Sequence, residues 1–429
     1  MSGRLLVLVP DEVVRRMCAG GNWGRVTYQA SDPDGVGAVI AVSNGNDPVI
    51  PTPLSPVNHF LRSGDQRGGH RWYRVGADLH ACWWRMRRVD GALPVEAFQS
   101  AVQSGWQNPS STGAYVAVTY SPEAPTTFPD VGVPEIAAWW ISESAVTAVD
   151  VEVQAAGYGI SQLSAHWPVE KLADITVVLV GVGSIGGAAA HALASYGVGR
   201  LVLLDPDRLL SHNVVRHVGS SRHVGKLKVD VVREQLIDAW PDTHVEALPL
   251  NVIVDADQVR PLLQNARLVL CAADGVAPRR VVSHLARRAK VDALMACVLQ
   301  DGVTGELIRL RPWPDHGCLT CRREALVESG AMDPEPALDL GYGTGTTHRP
   351  MTAVGGDLHL VGQLAAKVAV ATLLERCGAS GQTLLGEHAL VGLQPQFGWA
   401  PPFDIHRNTE IRWLPHTPPR AGCPTCEAA

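Results

Sequence analysis

Eight residues stand out because their types and spacing suit particular chemistry. Gly181, Gly183 and Gly186 form G-x-G-x-x-G, and Asp205 follows 19 residues after the last of them. Glycines let the backbone approach a phosphate closely, and a helix beginning there adds unpaired N–H groups and the positive end of its dipole. An acid at that distance is placed to accept hydrogen bonds from ribose hydroxyls. Cys318, Cys321, Cys423 and Cys426 form two turns of the form G-C-x-T-C, about a hundred residues apart. Two such turns supply the four thiolates of a closed, tetrahedral, structural zinc site. A redox-active C-x-x-C pair is the competing reading. His316 sits next to the first turn but is surplus to four ligands.

Particular elements must position these residues. Ile175 to Val180 is a short, nearly all-apolar run, as expected of a strand buried on both faces of a parallel sheet. Alanine-rich Gly187 to Ala194 predicts the following helix, Gly197 and Gly199 end it, and Leu201 to Leu204 predicts the next strand. The order strand, glycine turn, helix, strand, acid is that of a nucleotide-binding βαβ unit, so a Rossmann-like α/β domain with a mainly parallel sheet is expected. Met351 to Glu375 has a helical pattern apolar on so much of its surface that it belongs in a core or a dimer interface. Arg322 to Pro350, including GYGTGTTHRP, has no periodicity and reads as a mobile crossover loop over the site.

The region before the glycine strand has a different character, holding eight of the twelve tryptophans. Short β-like segments (Leu5–Val9, Ala38–Val42, Tyr115–Thr119, Ala137–Ile141) alternate with helix-like ones (Asp11–Cys18, Pro94–Ser104), which predicts an α+β domain. The expected division is residues 1–150 for this domain, 151–170 for a linker with a lead-in helix, and 171–429 for the nucleotide domain with its metal turns. HACWWRMRR, from His80 to Arg88, reads as a strand that buries tryptophan and solvates arginine, with a binding patch as the alternative.

Composition narrows the function classes. The chain has 429 residues, 46% of them hydrophobic, with a formal net charge of −6. That charge gives no reason to expect a nucleic-acid partner. The apolar runs look too short to cross a bilayer, and LLVLVP near the start is shorter than a signal-peptide core, so no membrane partner and a cytoplasmic location are expected.

The sequence beyond Asp205 resembles the ThiF/MoeB/HesA family, adenylating relatives of ubiquitin-activating enzymes. That family carries D-x-D, N-x-x-R-Q, G-x-x-K-A and a strand ending in D-N-x-x-x-R. Here Asp205-Pro206-Asp207 matches the first motif. Asn213 to Arg216 matches the second, with His217 in place of glutamine. Gly225 to Lys228 matches the third, with Val229 in place of alanine. Leu268 to Asp274 matches the strand and its acid, with Gly275 in place of asparagine and Arg279 at the arginine. The resemblance implies ATP-dependent adenylation of the C-terminal carboxylate of a ubiquitin-like or sulfur-carrier protein or a peptide, in a homodimer. It implies that Arg216 and Lys228 stabilise the phosphoryl charge, that Asp274 positions Mg²⁺, that Asp205 and Asp207 face the nucleotide, and that Asn213 orients phosphate or substrate. Two departures stand out. Residues 143–175 contain no arginine to lend to a partner's site, and Arg322 to Arg376 contains no cysteine for a thioester step. Cys271 and Cys297 read as core. A nicotinamide oxidoreductase and a scaffold that has kept the fold without catalysis are the competing functions. A fainter resemblance links Tyr115 to Asp130 with the zinc segment of JAB-type metalloproteases. Tyr120-Ser121-Pro122 stands where that family has His-x-His-Pro, so an inactive form is expected.

Overall fold

The computed structural model describes residues 5–31, 35–52, 65–89, 91–154, 159–299, 302–335, 353–379, 382–394 and 398–427. The chain divides into two units, Met1–Tyr158 and Gly159–Ala429.

In the first unit the strands are β1 (Leu6–Pro10), β2 (Trp23–Ser31), β3 (Val36–Val42), β4 (Ile50–Pro51), β5 (Asp65–Arg74), β6 (Tyr115–Tyr120), β7 (Ile136–Ile141) and β8 (Val146–Gln154). Their order is β1-β8-β7-β6-β5-β2-β3-β4, and β1 also pairs in parallel with β3, so seven strands close into a ring. Closure removes most of the exposed edge. The helices are α1 (Asp11–Ala19), α2 (Ala77–Met86), α3 (Val95–Ala101), α4 (Pro109–Thr112) and α5 (Ala124–Thr127). The segment read as a tryptophan-bearing strand is helical: His80 to Met86 lies in α2. Trp83 is buried there, and its indole N–H donates to the carbonyls of Ala138 and Val149 at 2.8 and 3.0 Å. Burial on one helix face, with Arg85 and Arg88 exposed, does what the strand reading asked of alternation. Strand β8 also runs past residue 150, into the stretch expected to be linker. Ser121 follows β6 and is fully buried.

The second unit is built on β9 (Thr176–Val180), β10 (Arg200–Leu204), β11 (His244–Leu248), β12 (Leu268–Cys271), β13 (Asp292–Leu299), β14 (Thr304–Leu310), β15 (His388–Gly392) and β16 (Ile411–Leu414). The sheet order is β11-β10-β9-β12-β13-β14-β15-β16. The first five strands are mutually parallel and the last three antiparallel. From β9 the chain winds outward to β10 and β11, then returns to the other side of β9 for β12 and β13. The crevice above the carboxyl ends of β9 and β12 is therefore a topological switch point, where open α/β sheets bind ligands.

The helices are α6 (Val169–Ala173), α7 (Ser184–Ser195), α8 (Lys228–Ala239), α9 (Ala256–Gln264), α10 (Val276–Ala289), α11 (Leu319–Glu328) and α12 (Gly355–Arg376). Two apolar clusters fill the two faces of the sheet, and α7, α8 and α12 cover one of them. The alanines of α7 give α12 room to come close: a Cβ on Gly362 would lie 2.4 Å from the Ile185 carbonyl oxygen. By length and composition α12 could cross a bilayer, which corrects the expectation from the apolar runs, but it is 67% buried over its most apolar window and serves as core. Part of the expected crossover loop is helical, since α11 runs to Glu328. Residues 336–352, with GYGTGTTHRP, lie outside the described residues.

Candidate nucleotide site and cysteine cluster

The loop from β9 to α7 needs its glycines for three different reasons. Gly181 has φ +84°, and a Cβ there would lie 2.7 Å from the Ala273 backbone, where the β12–α10 loop crosses. Gly186 is inside α7, which begins three residues earlier than its alanines suggest; a Cβ there would meet the Gly181 carbonyl oxygen at 1.9 Å. Gly183, next to the first turn of α7, has nothing within 4 Å of where a Cβ would stand. Gly181 makes the turn, Gly186 lets the helix pack against it, and Gly183 keeps a space clear beside the helix N-terminus, where orphan N–H groups and the helix dipole favour an anion.

Asp205 directly follows β10 and is only 6% exposed. Its Oδ2 accepts the Val182 N–H at 2.9 Å and its Oδ1 accepts the Asp207 N–H at 2.9 Å. Burial raises its proton affinity, opposed by the charge of Lys228 and by these two N–H donors. The acid expected to face a ribose therefore also braces the glycine loop with one oxygen and its own turn with the other.

Lys228 opens α8, and its Nζ pairs with Asp207 Oδ2 at 2.7 Å. Burial works against its charge, but Asp205, Asp207 and Asp274 together outweigh burial and raise its pKa above the ordinary lysine value. Asp274 is exposed on the loop after β12. The fold thus brings the glycine loop, Asp205, Asp207, Lys228 and Asp274 together at the switch point, although they are spread over nearly a hundred residues of sequence.

Asn213 and Arg216 sit on the turn that follows. Asn213 Oδ1 accepts the Leu210 N–H at 3.0 Å, so that oxygen serves the turn. Arg216 is half-buried, and its carbonyl accepts a hydrogen bond from His359 Nε2 of α12 at 2.8 Å. Among the described residues its guanidinium has no ion pair. Arg279, in the first turn of α10, donates to the Gly275 carbonyl at 2.6 Å and to Cys297 Sγ at 3.2 Å. Cys297 and Cys271 are buried, and burial raises both thiols, to about 12 and about 11. Reading by residue type passed over His217, whose ring is buried against the glycine loop. The available signal was its place in the N-x-x-R motif, where glutamine is usual.

The four cysteine sulfurs converge. Cys318 and Cys321 are 3.8 Å apart, Cys318 and Cys423 3.6 Å, and Cys321 and Cys426 3.8 Å, all four lying within 4.8 Å of one another. These separations are far beyond a disulfide. They match the edge of a ZnS₄ tetrahedron, about 3.8 Å for a Zn–S bond of about 2.3 Å. Convergence of all four speaks against an isolated redox pair. A second group, Asp315, His316 and His416, lies close by. Its imidazoles are stacked 4.2 Å apart at 16°, so their ring nitrogens lie in near-parallel planes and do not converge on one ion. His316 Nδ1 is already engaged by Asp315 Oδ1 at 2.8 Å.

A parallel sheet with its glycine loop, strand-end acid and switch-point crevice defines a nucleotide-binding α/β protein. The chain belongs to the ThiF family, whose model matches residues 158–388. It is 31% identical over 173 residues to the molybdopterin-synthase adenylyltransferase of Escherichia coli (strain K12), a match that covers 38% of this chain and 68% of that protein. It is 27% identical over 172 residues to ubiquitin-like modifier-activating enzyme 5 of Oryza sativa subsp. japonica, covering 38% of this chain and 41% of that one. A solved structure of E. coli MccB with succinimide matches 63% of this chain and 75% of its own at 19% identity and a TM-score of 0.46.

Proposed function

We propose that the second unit is an ATP-dependent adenylyltransferase acting on the C-terminal carboxylate of a ubiquitin-like or sulfur-carrier protein or of a peptide. A carboxylate oxygen attacks the α-phosphorus of ATP, the bond from that phosphorus to the bridging oxygen breaks, and pyrophosphate leaves with the electron pair. The observation that carries this reading is Lys228, held at a switch-point crevice by Asp207 and the field of Asp205 and Asp274, beside the clear space at Gly183. An oxidoreductase needs an acid at the strand end but has no use for a lysine among three carboxylates.

The roles follow from charge. Two anions meet in this reaction, so fixed cations aimed at the phosphoryl oxygens supply most of the rate. Lys228 exchanges Asp207 for phosphate when the nucleotide arrives. Arg216, with no ion pair among the described residues, is free to do the same. The N–H groups at the start of α7 hold phosphate, and Asp205 and Asp207 hold the ribose side. Mg²⁺ bound by Asp274, an exposed hard oxygen ligand beside this crevice, supplies charge neutralisation for the triphosphate. Zinc in the Cys318/Cys321/Cys423/Cys426 cluster has no open position and takes no part in the reaction.

The test is ATP–pyrophosphate exchange with carboxylate-ending ubiquitin-like and sulfur-carrier proteins from the same cell. Wild type should exchange, Asp274→Ala should abolish Mg²⁺-dependent exchange, and Lys228→Ala and Arg216→Ala should each lower turnover by about 10²–10³. Full exchange by Asp274→Ala would show that the chemistry lies elsewhere. Tight ATP binding without exchange by wild type would favour the scaffold reading.

A further inference from the structure

We propose that His217 is a positioning residue for the nucleotide: by holding the Val182 carbonyl it turns the Gly183 N–H outward as a phosphate donor. The proposal rests on the nucleotide reading above and assigns a task to a residue outside its reacting groups.

The geometry begins with two successive peptides. The Val182 N–H belongs to the peptide that joins Gly181 to Val182, and Asp205 Oδ2 fixes it at 2.9 Å. The Val182 carbonyl belongs to the next peptide, joining Val182 to Gly183, and His217 Nε2 lies 2.9 Å from its oxygen. A carbonyl only accepts, so Nε2 carries the proton and donates. The other ring nitrogen, Nδ1, accepts the Gly219 N–H at 2.9 Å, which fixes this neutral tautomer. His217 is 6% exposed and both of its ring nitrogens are engaged, so the imidazole is held in place.

In a trans peptide the C=O and N–H point in opposite directions. Holding the Val182 oxygen toward His217 therefore aims the Gly183 N–H the other way. Among the described residues that N–H has no partner, and nothing lies within 4 Å of where a Cβ on Gly183 would stand. A donor with no protein acceptor, on a residue with clear space beside it at the start of α7, is suited to a phosphate oxygen.

Donor and acceptor are both needed at residue 217, one for the Val182 carbonyl and one for the Gly219 N–H. Neutral histidine provides both, and so does glutamine, through Nε2 and Oε1. A side chain without polar atoms provides neither. Nothing here depends on histidine changing its charge: the ring is faced by Lys228 of α8, His359 of α12 and the nearby His223, all of which disfavour a second proton, and Asp205 lies on the other side of Val182.

The experiment is calorimetric titration of the full chain with ATP and, separately, with adenosine at pH 7.5, with thermal unfolding of each variant as a folding control. His217→Ala should weaken ATP binding about tenfold, equivalent to about 1.4 kcal/mol, and leave adenosine binding unchanged, because the lost donor faces phosphate. His217→Gln should bind ATP like wild type. Should His217→Ala fail to fold, His217→Asn, one methylene too short to make both hydrogen bonds, should show the same selective loss. Wild-type ATP affinity in the alanine or asparagine variant would overturn the proposal, as would equal losses for ATP and adenosine, or no rescue by glutamine. If wild type itself binds no ATP, the nucleotide reading falls first and this assignment falls with it.

Discussion

Replacing Cys423 and Cys426 with serine should cost the chain its zinc and free the tail that carries them. The size of the effect follows from what else holds that tail. A metal spanning Cys318 and Cys423 closes a loop of 105 residues. Loop-closure entropy for about 100 residues is worth about 4.7 kcal/mol in the analogous disulfide case. Structural zinc in small peptides contributes about 10–16 kcal/mol. Against this, the remaining ties are few. Arg420 pairs with Glu324 and Glu328 at 2.9 and 2.7 Å, but these carboxylates are well exposed, and such pairs contribute about 0–1 kcal/mol each. The Gly317 N–H donates to the Thr417 carbonyl at 2.7 Å and Arg322 donates to Thr417 Oγ1 at 2.6 Å, bonds worth about 1 kcal/mol apiece. With the 3.2 Å contact between Thr425 Oγ1 and His284 Nδ1, these come to about 3–5 kcal/mol, well below what a structural metal contributes. Elemental analysis should find one zinc per wild-type chain and none in the double variant. Limited proteolysis should trim the variant after Thr417 while wild type resists. Stoichiometric zinc in the double variant would refute the assignment, and a metal-free tail that resists protease would refute the energetic argument.

Other perturbations separate shape from binding. Gly186→Ala should destabilise the second unit, because its methyl would overlap the Gly181 carbonyl, whereas Gly183→Ala should keep the wild-type melting temperature and lose ATP affinity, because its methyl enters only the clear space. Equal melting losses in the two would refute this division. Asp205→Asn should cost about 1–3 kcal/mol of stability, since an amide accepts through one oxygen where the carboxylate accepts two N–H groups; chemical denaturation reads it. Glu306 is buried among Arg323 and His388, and although burial raises its pKa, these partners win and hold its carboxyl well below the usual range. Its stabilisation is therefore complete above about pH 4.3, the unfolded value, and is lost as pH falls below that. Glu306→Gln, which leaves buried Arg323 with Glu335 as its remaining counter-charge, should cost up to about 3–5 kcal/mol.

The parts of this protein legible in its sequence are those where one physical requirement selects one residue type. The run Val177 to Val180 had to be apolar because both faces of β9 are covered, and two of the glycines had to be glycines because a Cβ on either would lie within 3 Å of backbone. The cysteine turns were legible for the same reason, since thiolates at that spacing have few other uses. Where polar and apolar residues mix, pattern misled. Strand β2 carries Arg25 before its buried Val26 and a buried Gln29 after Tyr28, and β5 is largely polar, so neither reads as a strand until its neighbours are known. In α2 adjacent tryptophans suggested a strand, but only Trp83 is deeply buried while Trp84 is partly exposed, as helical geometry allows. The second role of Asp205 and the whole role of His217 depend on where the Val182 peptides point, which no local pattern encodes.

The cysteine cluster also sets a timetable. Its two halves are 105 residues apart in the chain. At synthesis rates of about 5–20 residues per second, Cys318 and Cys321 wait about 5–20 s on the ribosome before Cys423 follows. The strands of the parallel half precede them in sequence and are free to pair during that interval, while β15, β16 and the metal turn are still to come. The second unit therefore cannot be sealed during translation of its nucleotide-binding half. Through that interval the thiols of Cys318 and Cys321 stand without Cys423 and Cys426, open to oxidants and to other metals, and an ion held by all four cysteines would close the cluster only after that wait.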